Sequence, residues 1–445
     1  MKKRIAYITT HIALLQEATS NGHMGQDVYV YELALQLANN GWEVDVFTPL
    51  LSGDPTKIRT VNPGVRLIQM GGSAAQSLSI PTVTDMGILS LQIRSFASMQ
   101  NLVYDLIHAD ETTSALLAIE LKKKLKLPFI FTVHQFSHLP KLQEQNQENS
   151  ELEVDVDHQI MKRADAVIVG CPQDKADLIL QHHASSKKTF VVPSGFNPNQ
   201  FFPIDKAEAR RMLNFNTTEK ILLQVGSLRL NSGVDNVIKS MALLEAGKQN
   251  LRLIVLGSVE DEKDLLNNKE LGRLKQLAED LGLSKQVSFD EGVEFKNLQT
   301  YYAAADLLVN TPPFEGLGST VLEAMACGTL VIGSEVGAIK FAVVDGKTGF
   351  VIPPKAPGLL ADRIGLVLKN DALLDQLSRN SVRHANSSFT WGNIAEQVID
   401  LYEYVLFAKT EKDQVSKPAA TKQLNQSIPL RNLYLKRNMQ AKFSN

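Results

Sequence analysis

Short apolar runs alternate along the chain with longer stretches in which apolar residues recur every three or four positions, the pattern of strands followed by amphipathic helices. The run Ile5-Ala6-Tyr7-Ile8 predicts a first buried strand. A polar glycine loop, Asn21 to Gln26, leads from it to a helix over Val28–Asn39, where Tyr29, Leu33 and Leu37 share one face and Gly41 ends the element. Further strands are predicted at Glu43–Phe47, Leu106–Ala109, Phe129–Val133 and Ala166–Gly170. Residues Val191–Pro203, with three prolines and a glycine, have the composition of a linker. A second series follows at Ile221–Val225, Leu251–Leu256, Val287–Phe289, Leu307–Asn310 and Leu330–Ile332. Strands that alternate with helices predict parallel sheets, and two such series predict two α/β domains with a cleft between them.

Composition adds size and compartment to this picture. At 445 residues, 44% hydrophobic and 21% charged, the chain has material for more than one core. The net charge of -2 gives no support to nucleic-acid binding. Cys171 and Cys327 stand far apart and read as reduced thiols, with neither a disulfide framework nor zinc spacing. Met1 to Arg4 carries the charge of a signal peptide, but Thr9, Thr10 and His11 interrupt the apolar run that one requires. No stretch reaches the roughly 18 apolar residues of a membrane span. These features predict a cytoplasmic protein. From Lys409 onward eight Lys/Arg outweigh two Asp/Glu and the apolar rhythm stops, so residues 409–445 read as a disordered basic tail. Its weakly amphipathic end, Ile428–Phe443, leaves open a peripheral contact with the inner membrane face.

The segment Phe314 to Gly328 concentrates the chemistry. Glu315 and Glu323 flank a glycine turn, Gly316-Leu317-Gly318, that runs through Ser319 and Thr320 into a helix. A backbone of this kind can turn several N–H groups toward a diphosphate at the positive end of a helix. Glu315 then lies at the sugar end of such a ligand, and Glu323, two turns into the helix, can accept from a ribose diol.

These residues, with LEAMACG after them and DGKTG at Asp345–Gly349, resemble the E-x7-E signature of retaining glycosyltransferases of group 1, family four, in particular the subgroup of sucrose-phosphate synthases and bacterial relatives. The resemblance implies a GT-B fold of two facing Rossmann-like domains: an N-terminal acceptor domain over 1–195, completed by a crossover helix over 389–406, and a donor domain over 196–388. Gly25 to Thr48 resembles the family's glycine loop and first helix, which gives Gly25 a place near the donor, although Met24 stands where relatives have a second glycine. Phe131-Thr132-Val133-His134 resembles the T-x-H motif, whose histidine faces the donor hexose. His108 also matches a family position and reads as structural or as acting through a neighbour; Asp110 stands where many relatives have a histidine.

By the same resemblance the catalytic residues are His134 and Glu315, and the donor is held by Gly316, Leu317, Gly318, Ser319, Thr320 and Glu323. One departure is serious. Relatives neutralise the leaving diphosphate with an arginine and a lysine in the first loop of the second domain, and here Ser227 and Ser232 occupy those positions. Loss of one preorganised donor of this kind typically costs about 10²- to 10³-fold in rate. Arg229 and Lys340 are the nearby candidates to replace them. No catalytic metal and no other cofactor is expected: Asp155-Val156-Asp157 spells a metal-binding D-x-D but falls in an acidic helical stretch and reads as a solvated face, and His182-His183 reads as surface.

The leading reading is a metal-independent, retaining hexosyltransferase whose partners are a nucleotide diphosphate sugar and a sugar, glycan or lipid-linked acceptor, with no nucleic acid. The alternative is a catalytically impaired scaffold that binds a nucleotide sugar or glycan, motivated by the two serines. A nicotinamide-dependent dehydrogenase would need a G-x-G-x-x-G after the first strand, and none is present.

Overall fold

A computed structural model describes residues 2–9, 26–49, 56–70, 83–134, 156–226, 228, 232–244, 250–257, 265–291, 293–315 and 317–415. The described residues fall into two compact units: those within Met1–Leu15, Val30–Val192 and Ile394–Asn445, and those within Gln16–Tyr29 and Pro193–Asn393.

The first unit is built on β1 (Arg4–Ile8), β2 (Glu43–Pro49), β3 (Lys57–Asn62), β4 (Val65–Met70), β5 (Leu106–Asp110), β6 (Phe129–Val133), β7 (Ala166–Val169) and β8 (Thr189–Val191). They form one sheet in the order β3-β4-β2-β1-β5-β6-β7-β8. All neighbours are parallel except β3, which runs antiparallel to β4 through the Pro63-Gly64 turn. Strands β5, β6 and β7 are buried at every position, as parallel strands covered on both faces must be. Among the described residues the helices of this unit are most of α1 (Gln26–Asn39), with α2 (Val83–Met99), α3 (Thr112–Leu125), α4 (156–163), α5 (Pro172–Gln181) and, from the chain's end, most of α14 (Trp391–Val415). The first residues of α1 belong to the second unit, where Tyr29 meets Trp391 edge to face. The chain passes from β1 toward β2 on one side and returns to β5 on the other, so the strand order reverses between β1 and β5.

The second unit contains β9 (Lys220–Val225), β10 (Leu251–Gly257), β11 (Val287–Glu291), β12 (Leu307–Asn310), β13 (Leu330–Ser334) and β14 (Gly349–Ile352) in the all-parallel order β11-β10-β9-β12-β13-β14. Its helices are α6 (Lys206–Met212), α7 (Val234–Leu243), α8 (Leu265–Asp280), α9 (Leu298–Ala304), α10 (Ser319–Cys327), α11 (Gly337–Ala342), α12 (Pro357–Leu368) and α13 (Asp371–Ser388). The two-residue period of a strand divides its side chains between two cores. Ile221, Leu223, Val225, Ile254 and Leu308 pack with Phe196, Met325 and Ile339, while Leu222, Leu253, Val255, Leu307 and Val309 pack with Val237, Leu274 and Ile364 on the opposite face. Here the order reverses between β9 and β12, the position at which open α/β sheets bind ligands beyond the strands' carboxyl ends.

Three expectations need correction. The terminal helix α14 (Trp391–Val415) extends through residues 409–415, which composition assigned to a tail; Thr410 Oγ1 bonds Leu406 O at 3.1 Å within it. Residues 416–445, including Ile428–Phe443, lie outside the described residues. Asp157 is not on a solvated face: it is buried, and its Oδ1 accepts from Thr112 Oγ1 at 3.3 Å, while Asp155 lies outside the described residues. His182 is buried as well, whereas His183 is exposed. For Asp157 the contact comes from the start of α3, which the local sequence does not reveal.

Candidate active site

Beyond Asn310 at the end of β12 the chain crosses Thr311 to Gly318 before α10 begins. Asn310 Nδ2 donates to Thr320 Oγ1 at 3.4 Å, which ties the strand end to the helix's first turn. Gly318 opens α10 in a left-handed conformation, φ 64°, and supplies no side-chain cap. The half-buried Glu315 takes that role: its Oε1 accepts the Gly318 N–H at 3.1 Å. Burial pushes the Glu315 carboxyl's pKa up, and the N–H groups of Gly318 and Leu317 draw it back toward the ionised form. A helix amino end favours a negative charge for the same reason, because the N–H groups of its first turn have no intrahelical acceptor. The N–H groups of Leu317 and Gly318 are thus directed at the Glu315 carboxyl, and Ser319 and Thr320, both half-buried, form the first turn of the helix beside it; Gly316 lies outside the described residues.

The next wall comes from α11. Gly337 stands at φ 41°, and a Cβ there would lie 2.2 Å from Glu315 O. Only glycine permits this approach, which lets Ala338 N donate to Glu315 O at 3.1 Å. Lys340, in the last turn of α11, does not point back at Glu315: its Nζ lies 2.6 Å from Glu335 Oε1, and its side chain is 56% exposed.

Glu323 is different in kind. It is buried inside the second turn of α10, and Tyr302 O–H, from α9, donates to its Oε2 at 2.8 Å. Burial raises the carboxyl's pKa to about 7, against the opposing pull of the Tyr302 hydroxyl. Nothing in the amino-acid sequence singled out Tyr302, which precedes Glu323 by 21 residues. The glycine requirement at Gly337 was equally hidden.

Gly25, Ser227 and Arg229 lie outside the described residues. Ser232 is described: its backbone O accepts from Gln224 Nε2 at 3.1 Å, just before Gly233 opens α7.

In the first unit His134 follows β6 directly and is buried, with Nε2 3.7 Å from Asp110 Oδ2 at the end of β5. Thr9 Oγ1, past β1, donates to the same Asp110 oxygen at 3.4 Å. These three residues mark the carboxyl edge at the β1/β5 reversal. His108 lies one turn of pleat deeper, fully buried, with Nδ1 2.5 Å from Tyr402 Oη and Nε2 2.7 Å from Thr132 Oγ1. Burial drives its pKa down to about 3, so it is a neutral core histidine that joins α14 to β6. Among the described residues no group of three or more His, Cys, Asp or Glu is placed to hold a metal ion.

Two Rossmann-type units, one carrying the E-x7-E turn at its strand-order reversal, define a nucleotide-sugar-dependent transferase of the GT-B class. Comparison with known proteins agrees. The model for Glycosyltransferase Family 4 matches residues 24–200, and that for Glycosyl transferases group 1 matches residues 205–384. The D-inositol 3-phosphate glycosyltransferase of Corynebacterium diphtheriae is 27% identical over 410 residues, covering 90% of this chain and 95% of the relative. That of Corynebacterium jeikeium is 29% identical over 408 residues, covering 90% and 96%. Among solved structures, sucrose-phosphate synthase from Thermosynechococcus elongatus matches with a TM-score of 0.78 and 28% identity, over 92% of this chain and 100% of that one. The chain belongs to the group 1, family four glycosyltransferases, enzymes that transfer a sugar from a nucleotide sugar. None of the helices among the described residues is long and apolar enough to cross a membrane.

Proposed function

We propose that this enzyme moves a hexose from a nucleotide diphosphate sugar to an acceptor hydroxyl, with retention at the anomeric carbon and without a metal. The observation that carries the reading is the disposition of α10: Glu315 at its amino end, Glu323 held inside it by Tyr302, and the first-turn N–H groups in the interval. In this reading the Leu317 to Thr320 backbone binds the diphosphate, Glu323 the ribose and Glu315 the hexose hydroxyls. His134 keeps the role given it by the resemblance, a contact with the hexose. Gly25, Gly316, Arg229 and Lys340 remain assigned to the donor on sequence grounds. The acceptor O–H attacks from the face the phosphate leaves; the C1–O bond to phosphate breaks, and the departing phosphate oxygen takes the acceptor's proton. Placement and charge stabilisation then supply most of the rate. The relatives' names point to a phosphorylated polyol or sugar as the acceptor class to test first.

The test is incubation of purified protein with UDP-, GDP- and ADP-hexoses in the presence of inositol phosphate, hexose phosphates and simple glycosides. The expected outcome is release of nucleoside diphosphate together with a product whose anomeric configuration, read by NMR, matches the donor's. Saturable donor binding without transfer to any acceptor, or an inverted product, would overturn the proposal.

A further inference from the structure

Glu323 is one of the most buried carboxyls in the second unit, and its surroundings are unequal. Tyr302 O–H occupies Oε2 at 2.8 Å, whereas Oε1 makes no hydrogen bond among the described residues. Tyr302 is itself fixed from two sides: Thr329 Oγ1 donates to its backbone O at 2.5 Å, and its ring meets that of Phe201 edge to face with centroids 6.0 Å apart. The ring is completely buried. The phenol therefore has one fixed position, and burial beside Glu323 raises its pKa well above the usual phenol value, so that it remains a proton donor throughout the working pH range.

We propose that Tyr302 is a positioning residue for donor recognition: by donating to Oε2 it fixes the rotation of the Glu323 carboxylate and leaves Oε1, with the remaining lone pair on Oε2, for the two hydroxyls of the donor's ribose. The inference rests on the assignment of Glu323 to the ribose. Tyr302 has a second consequence through the same bond. A hydrogen bond to the charged form stabilises that form against desolvation. With burial alone, Glu323 would ionise only at higher pH than it does with Tyr302 present. A neutral carboxyl keeps one good acceptor and turns its other oxygen into a donor, and so cannot accept from both hydroxyls of a diol.

The test uses the full-length enzyme and compares binding of UDP, GDP and ADP with that of their 2′,3′-dideoxy counterparts, by calorimetry, for wild type and Tyr302→Phe. For the nucleotide that binds, wild type at pH 7 is expected to prefer the ribo form by about tenfold or more, since hydrogen bonds to a charged group are stronger than those between neutral groups. In Tyr302→Phe this preference should fall at least fivefold, while affinity for the dideoxy form changes less than twofold. Raising the pH to 9 should restore part of the preference in the variant, because Glu323 then ionises without help. An unchanged preference in a variant that still binds the dideoxy form would overturn the positioning role while leaving Glu323 on the ribose. No preference in wild type would overturn the ribose assignment, and no binding of any of the three nucleotides would overturn the donor reading itself. If Tyr302→Phe does not fold, 3-fluorotyrosine at position 302 decides the matter. Its more acidic hydroxyl should shift the pH midpoint of ribo-nucleotide binding downward, and an unmoved midpoint would overturn the role.

Discussion

A single carboxyl, Glu323, makes the stability of the second unit depend on pH. Its pKa stands at about 7 in the folded protein, against 4.5 for an unperturbed glutamate, because α10 and α9 remove it from water. Below pH 4.5 the group is protonated in both states and costs nothing. Between 4.5 and 7 the unfolded chain releases the proton while the folded chain retains it, so stability falls as pH rises, and above 7 the full penalty is present. That rise corresponds to about 3 kcal/mol. Glu323→Gln removes the titration and keeps an acceptor for the Tyr302 hydroxyl. Without nucleotide the variant is therefore expected to gain up to about 3 kcal/mol over wild type between pH 4 and pH 8.5, read as the change in urea midpoints, and to bind donor more weakly. A stability difference that does not vary with pH would show that Glu323 is not held near neutrality. The cost is consistent with a site that keeps an incompletely satisfied carboxylate for a ligand.

Among the elements, α11 shows how closely the site depends on one backbone contact. At Gly337 an added Cβ would stand 2.2 Å from Glu315 O, and the backbone is at φ 41°. Gly337→Ala must therefore move α11 off the Glu315 loop and break the Ala338 N–H bond to Glu315 O. A loss of about 2–3 kcal/mol in stability is expected, together with weaker nucleotide binding. Gly346→Ala provides the control: it has φ 67° but nothing within 4 Å, so it should cost only the conformational term of about 1 kcal/mol and leave binding unchanged. Equal effects of the two substitutions would remove the clash from the explanation. These contacts also show which parts of the structure can be read from sequence. Central parallel strands such as β6 and β12 announce themselves as unbroken apolar runs because both faces are covered. The turn from Glu315 into α10 is legible because its glycine and glutamates are close in sequence. The β3–β4 hairpin is not, since β3 is an exposed edge strand whose Lys57, Ile58, Arg59 and Thr60 carry no apolar pattern. The hydrogen bond to Asp157 comes from Thr112, 45 residues earlier, and the Tyr302 to Glu323 bond joins two helices, so no local pattern could reveal either.

At the scale of the whole molecule the two units carry buried titratable groups of opposite sense. His108 in the first unit is held neutral, with its pKa near 3 against the usual 6.5. The unfolded chain takes up a proton as pH falls through 6.5, and the folded unit does not, so acidification from pH 7.5 to 5 weakens this unit by about 2 kcal/mol. Glu323 in the second unit acts in reverse: the same acidification relieves its desolvation penalty and strengthens that unit by about 2 kcal/mol. The two tryptophans permit a separate reading of each effect. Trp42, packed against Tyr402 and beneath Lys3, reports the first unit; Trp391, against Tyr29, reports the second. In Trp391→Phe the remaining fluorescence should show a lower urea midpoint at pH 5 than at pH 7.5, and in Trp42→Phe a higher one. Adding Glu323→Gln to Trp42→Phe should abolish the rise. Midpoints that move together in both single-tryptophan variants would mean that the units unfold as one cooperative body, in which the two terms cancel and neither unit has a pH response of its own.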